Sequence, residues 1–325
     1  MIENEALRID YNSYYLRQAA EVYKYLNQEK FQSFETLEIY KGVLDLLYDW
    51  FGVENNLTFK KVEKTNIEKN NKVVVAFSGG LDSVYQTLIL KEKGYNVRLL
   101  HISNLNSYTN GQEKKVVRDF AKKTNLPLLE IPFSAKIKGE YKKHWQENPF
   151  KDFLIYSACV GYMFEREVYN ISCGDDLRLS YKDAVLETNI SDARELTLAF
   201  FEDLKKLIDF NFIPVDANVK KDERIKYVRD KGFIDDYYSC VTAGRLNQYL
   251  RKYNMDKFNI QLEKYNCGNC RKCCFHSLSD YYYNNVHFPQ EYIDHCWNKI
   301  SIGADNIFFN KKLPLETRIK NLRDY

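Results

Sequence analysis

Between residues 72 and 172, short, mainly apolar runs alternate with longer amphipathic stretches. Val73 to Phe77, Val97 to Ile102, Leu128 to Ile131 and Val168 to Ser172 each have the length and continuity of a strand covered on both faces. Such strands, separated by helix-length segments, predict a parallel, doubly wound α/β sheet whose ligands sit beyond the carboxyl ends of the strands. Ahead of the sheet, Tyr15, Ala19, Val22 and Leu26 recur at helical spacing. So do Leu37, Tyr40, Leu44, Leu47 and Phe51 after a cap at Ser33. Residues 1–70 therefore read as a helical N-terminal extension with a polar linker at its end. Beyond the sheet, Asp192 with Glu195 predicts a helix start running to about Asp209, and Lys221 to Lys231 predicts a helix that stops at Gly232. Residues 277–325 show only weak periodicity. The expected division is a helical extension (1–70), a nucleotide-binding domain (71–236) and a C-terminal metal-binding region (237–325).

Composition narrows the partners. In 325 residues, 45% are hydrophobic and 29% charged, inside the globular range. The longest uncharged apolar runs reach about five residues, against the ~20 that cross a bilayer. The start, Met1-Ile2-Glu3-Asn4-Glu5, lacks a basic-then-apolar leader, so a cytoplasmic protein without membrane contact is expected. Lys and Arg number 48 against 45 Asp and Glu, a net charge of +3 that is too balanced for a phosphate-coating surface and makes nucleic acid an unlikely partner. Of eight cysteines, four lie between Cys267 and Cys274. In a reducing compartment that clustering favours a metal over disulfides.

The most informative segment is Phe77-Ser78-Gly79-Gly80-Leu81-Asp82-Ser83, set between the first strand and a helical stretch. Two glycines let the backbone bend close to an anion, and Ser78 and Ser83 add hydroxyls beside the free amides of a helix start. No Lys follows at Walker spacing, and the third glycine of a dinucleotide fingerprint is missing. The alternative is a tight strand-to-helix turn with a Ser cap. Farther on, Cys267, Cys270 and Cys273 stand at three-residue spacing, the pattern of a knuckle around one tetrahedral ion. Cys240 is the expected fourth ligand, with His276 in reserve and Cys274 poorly placed beside Cys273. An iron-sulfur cluster on the same thiols stays open.

The loop resembles the PP-loop of the ATP pyrophosphatases, and that likeness implies that Ser78, Gly79, Gly80, Asp82 and Ser83 hold the β,γ-pyrophosphate of ATP and its Mg2+. Loop and cysteines together resemble the 7-cyano-7-deazaguanine synthase family of queuosine biosynthesis. Asp192-Ala193-Arg194-Glu195 is similar to that family's Asp-Cys-Arg-Pro-Glu segment, and Lys221-Asp222-Glu223 to its Lys-Ala-Glu helix start. The resemblance implies an ATP-dependent ligase in which Ser78, Asp82, Ser83, Asp192, Arg194 and Lys221 serve catalysis. It also implies that Phe77 to Ser83 hold ATP and that Cys240, Cys267, Cys270 and Cys273 hold a structural Zn2+. The implied substrates are a deazapurine acid and free ammonia, since position 2 is Ile2 and no N-terminal Cys nucleophile of a glutaminase is present. His101, at the end of the second strand, either lines the adenosine pocket or satisfies a local hydrogen bond.

Three departures from the family pattern leave other readings open. A long insertion separates Cys240 from Cys267. Pro149-Phe150-Lys151-Asp152 stands where relatives carry Pro-x-Arg-Asn, and a Lys for Arg loses bidentate phosphate geometry. The extension is foreign to a minimal synthase. These features suit a synthase-like member of an anti-phage defence cluster that attaches a deazaguanine to a protein docked on the N-terminal helices. Sulfur transfer to tRNA, which would use an exposed cysteine such as Cys173, is a further alternative, as is a non-catalytic nucleotide-binding module. His287, His295 and Cys296 are candidates for a second metal site, and a homodimer stays open.

Overall fold

The computed structural model describes residues 35–38, 41, 58–60, 67–103, 110–132, 149–174, 201–202, 204–206, 208–216, 218–240, 242, 244–302 and 309–324. In chain order they form β1 (Glu35–Leu37), β2 (Thr58–Lys60), β3 (Lys72–Ala76), α1 (Leu81–Glu92), β4 (Asn96–Ser103), α2 (Asn110–Thr124), β5 (Leu128–Pro132), α3 (Pro149–Arg166), β6 (Asn170–Cys173), β7 (Asn211–Ile213), α4 (Lys221–Asp230), α5 (Gly244–Phe258), α6 (Arg271–Tyr283), α7 (Gln290–Ile300) and α8 (Leu315–Asp324). The main sheet has the order β5-β4-β3-β6-β7. All its pairings are parallel, with Val73 opposite both Val97 and Asn170. The four apolar runs of the sequence are thus the three inner strands and the β5 edge, and Val73, Val74, Leu100 and Ile171 are fully buried. Among the described residues no helix is long and apolar enough to cross a membrane.

The chain divides into two compact units, each assembled from three stretches of the sequence. The first takes Met1–Phe77, Ile89–Leu105 and Leu126–Val215; the second takes Ser78–Leu88, Asn106–Asn125 and Asp216–Tyr325. In the first, α3 packs on β3, β4 and β6, and Phe201 stacks on Phe212 of β7 at 3.9 Å. In the second, α6 packs against α4, α7 and α8 around buried Leu278, Tyr292, Ile293, Trp297 and Leu322.

The wholly helical reading of residues 1–70 is corrected by β1 and β2, which pair in parallel with Glu35 opposite Thr58 and Leu37 opposite Lys60. Leu37 therefore sits in a strand. Its pairing partner lies far along the chain, and periodicity within a window cannot report it. The other residues on which the two N-terminal helices are read, Tyr15, Ala19, Val22, Leu26, Tyr40, Leu44, Leu47 and Phe51, lie outside the described residues, as do Asp192 and Arg194 with the start of the helix expected there. The helix expected from Lys221 is α4.

Candidate functional site

Ser78 follows β3 by two residues, and α1 begins at Leu81. The bend between them is held from inside. The Gly80 amide donates to Ser78 Oγ at 3.2 Å, Ser83 Oγ donates to the Gly80 carbonyl at 3.0 Å, and the two serine oxygens lie 3.2 Å apart. Gly79 has φ +73°, a conformation that favours glycine, and a Cβ there would press to within 3.1 Å of Val117 Cγ2. Its carbonyl accepts the Tyr238 amide at 2.8 Å. The result is a short nest of amides and hydroxyls at a helix start, suited to anionic oxygens.

Asp82, in the first turn of α1, faces two cations from α4. Lys221 Nζ donates to Oδ2 at 2.5 Å and Arg224 Nη1 to Oδ1 at 3.0 Å. Lys221 and Arg224 share a helix face because they are three residues apart. Burial alone would raise the Asp82 pKa, but the neighbouring Lys221 and Arg224 charges win and hold it at about 2. The carboxylate is therefore ionised at neutral pH, a hard oxygen donor of the kind Mg2+ takes, with the Ser78 and Ser83 hydroxyls beside it. The loop residues Ser78 to Ser83 and Lys221 are thus brought together in the second unit. Phe77 and His101 lie in the first, where His101 Nδ1 sits 3.0 Å from the Phe77 carbonyl, the local hydrogen bond considered for it. Pro149 to Asp152 form the first turn of α3.

The cysteines predicted to gather do so. The sulfurs of Cys240, Cys267, Cys270 and Cys273 all lie within 4.8 Å of one another, with separations of 3.9 Å (Cys267–Cys273), 3.7 Å (Cys270–Cys240) and 3.3 Å (Cys270–Cys273). Four sulfurs at ~2.3 Å from a zinc ion form a tetrahedron with edges of roughly 3.8 Å, so the set fits one such ion. Amides are aimed at the sulfurs as well: Thr242 to Cys240 at 3.3 Å, Asn269 and Cys270 to Cys267 at 3.3 Å each, and the Asn247 side chain to Cys240 at 3.1 Å. Hydrogen bonds with Cys240, Cys270 and Cys273 drive the Cys267 thiol well below its ordinary range, while those with Cys240 and Cys267 push Cys270 and Cys273 up. Thiols this close share their protons, and a metal would require all four as thiolates.

The reserve ligands have other partners. His276 is buried against Tyr237, whose hydroxyl lies 3.2 Å from Nδ1. Burial, and then the Lys221 charge, lower its pKa to about 3, so the ring is neutral. Cys274 reaches the Gly268 carbonyl at 3.8 Å. Among the described residues, the four-cysteine set is the group found with metal-binding geometry, and His287, His295 and Cys296 do not form another. Cys173, at the end of β6, is 1% exposed.

Sequence reasoning missed Arg224 and Asn247. Arg224 lay in the charged run from Lys220, which reads as solvated surface, yet it is 3% exposed and its Nη2 also donates to the Asp216 carbonyl at 3.1 Å. Asn247 lies in the insertion between Cys240 and Cys267; besides its bond to Cys240 it donates to the Thr242 and Tyr265 carbonyls at 3.1 Å each.

Residues 71–155 match the family model described as the tRNA methyl transferase HUP domain. Among curated proteins, 7-cyano-7-deazaguanine synthase 2 of Sulfurisphaera tokodaii is 34% identical over 84 residues, 26% of this chain and 18% of that one. 7-Cyano-7-deazaguanine synthase 1 of Desulfitobacterium hafniense is 30% identical over 146 residues, 40% of this chain and 65% of that one. The tRNA-specific 2-thiouridylase MnmA of Ruthia magnifica is 27% identical over 155 residues, 40% of this chain and 41% of that one. The chain covers less than two thirds of each relative's length. The chain is similar to both kinds of enzyme.

Proposed function

We propose that this protein transfers the adenylyl group of ATP to a carboxylate and then amidates it with free ammonia, the acceptor being a 7-deazapurine acid of the 7-carboxy-7-deazaguanine type. The observation that carries this reading is the nest from Ser78 to Ser83 with the Asp82 carboxylate and the Lys221 ammonium at its edge. A nest of that kind grips the β,γ-pyrophosphate and stabilises the charge that gathers on it as it leaves. Asp82 with Ser78 and Ser83 would hold the Mg2+ that travels with ATP.

The acceptor oxygen attacks the α-phosphorus, the bond from that phosphorus to the bridging α,β-oxygen breaks, and pyrophosphate departs with the electron pair. Ammonia then adds to the acyl adenylate, loses a proton, and expels AMP to leave the amide. A second adenylation, on the amide oxygen with release of a second pyrophosphate, followed by loss of AMP, would give the nitrile, both protons of the amide nitrogen departing along the way. Asp192 and Arg194 are proposed to meet the acceptor, as in the segment they resemble. The four cysteines would hold a closed Zn2+ whose work is structural, since four thiolates leave no position for water. The relatives that act on tRNA suggest sulfur transfer as the competing chemistry, and the burial of Cys173 speaks against it.

The test is to incubate the protein with ATP, ammonium and 7-carboxy-7-deazaguanine and to weigh the products. Amide or nitrile with AMP supports the proposal. AMP released only when a protein acceptor is supplied would replace the small acid by a protein, and ADP with phosphate would overturn adenylation altogether.

A further inference from the structure

The two cations on Asp82 are held very differently. Arg224 is 3% exposed and tied at both ends of its fork, to Asp82 through Nη1 at 3.0 Å and to the Asp216 carbonyl through Nη2 at 3.1 Å. The Lys221 side chain is 25% exposed, and its ammonium rests on the same carboxylate at the end of a flexible stem. A planar guanidinium anchored at two points stays in place, whereas an ammonium on four rotatable carbons is free to change partners at little cost. If Lys221 left to meet an anion, an unaccompanied Asp82 would remain beside the incoming phosphates and repel them.

From this asymmetry we propose that Arg224 is a positioning residue of the phosphate loop. It stays on Asp82 as a fixed counter-ion, neutralising and orienting the carboxylate, so that Lys221 can move from Asp82 to the phosphates. Arg224 acts on the ligand through Asp82; Lys221 acts on it directly. The inference rests on the pyrophosphate-binding reading of the loop.

The distinction is measurable without turnover, by calorimetric titration of the full-length protein with inorganic pyrophosphate in chelator, so that no Mg2+ takes part. Arg224→Gln in the otherwise native chain should weaken pyrophosphate binding about tenfold, the scale of one charged hydrogen bond. In an Asp82→Asn background the same change should cost less than about twofold, because the carboxylate it serves is gone. Lys221→Gln should weaken binding in both backgrounds. Arg224→Lys, which keeps the charge and loses the fork, should recover part of the loss, and thermal unfolding of each variant separates misfolding from lost binding. Equal losses for Arg224→Gln with and without Asp82, or no loss in a folded variant, would overturn the positioning role while leaving the loop's function standing. A native protein that binds neither pyrophosphate nor ATP would overturn the loop's function and this inference with it.

Discussion

The phosphate loop and the cysteine knuckle lie in one compact unit and touch, through the Gly79 carbonyl and the Tyr238 amide, yet they are built on opposite principles. The loop works by backbone. Its donors are amides and two small hydroxyls, and what the sequence must supply is the absence of a side chain at Gly79. The knuckle works by side chains, four thiols that converge from Cys240, from Cys267 and Cys270 ahead of α6, and from Cys273 in its first turn. A backbone site is lost when its conformation changes and the rest of the unit survives. A side-chain site that also closes the core is lost together with the fold, because Cys240, Cys267 and Cys273 pack with Val116, Tyr238 and Tyr265 in one buried cluster. The two regions should therefore fail in different orders, ligand before stability in the loop and stability before ligand in the knuckle.

The largest expected effect tests the knuckle. Cys267→Ser should abolish metal binding, since structural zinc contributes on the order of 10 kcal/mol to the folds that depend on it. Elemental analysis should find about one zinc per native chain and none in the variant, and the variant's thermal midpoint should fall by well over 10 °C. A variant that lost its metal and kept its midpoint would break the comparison.

Next is acid lability on the knuckle side. His276 is buried neutral with a pKa of about 3, below the 6.5 it would have in an unfolded chain. The unfolded state therefore takes up a proton first as pH falls. The stability this group contributes is complete above about pH 6.5 and drains away as pH drops toward 3, by as much as about 5 kcal/mol. His276→Gln keeps an amide for Tyr237 and should flatten that slope in urea titrations between pH 6.5 and 4. A slope unchanged by the substitution would place the acid sensitivity elsewhere.

Gly79→Ala sharpens the comparison from the loop side. The left-handed backbone and the approach to Val117 should cost about 1–2 kcal/mol of stability, with ATP affinity falling at least about tenfold because the nest itself is distorted. Large loss of ligand with small loss of stability is the loop's signature, measured by calorimetry and denaturant titration on the same samples. The smallest effect is the control. Lys226→Ala removes an exposed pair with Asp230 on α4 and should shift stability by under about 0.5 kcal/mol and ATP affinity not at all.

What could be read from the chain follows the same division. The inner strands were legible because a strand covered on both faces must be a continuous apolar run, and Val73 to Phe77 is one. β7 and the β1–β2 pair were not, since segments of three residues carry no period and owe their existence to partners remote in sequence. Helix α6 hid for another reason. In α6, every residue from Cys273 to Asp280 is buried, and a helix covered all round shows no polar stripe. The loop and the knuckle announced themselves by glycine and cysteine. Arg224 and Asn247 did not, because their roles arise from contacts between separate segments, and an arginine in a charged run looks like any other until Asp82 is seen beside it.

The claim on which the account turns is that an acid is adenylated at this loop, and an isotope transfer tests it most directly. With 7-carboxy-7-deazaguanine labelled with 18O in its carboxylate, and with ATP and ammonium supplied, attack of that oxygen on the α-phosphorus should leave one 18O in the phosphate of the AMP recovered. AMP free of label while the acid is consumed, or label found in inorganic phosphate with ADP as the other product, would contradict it.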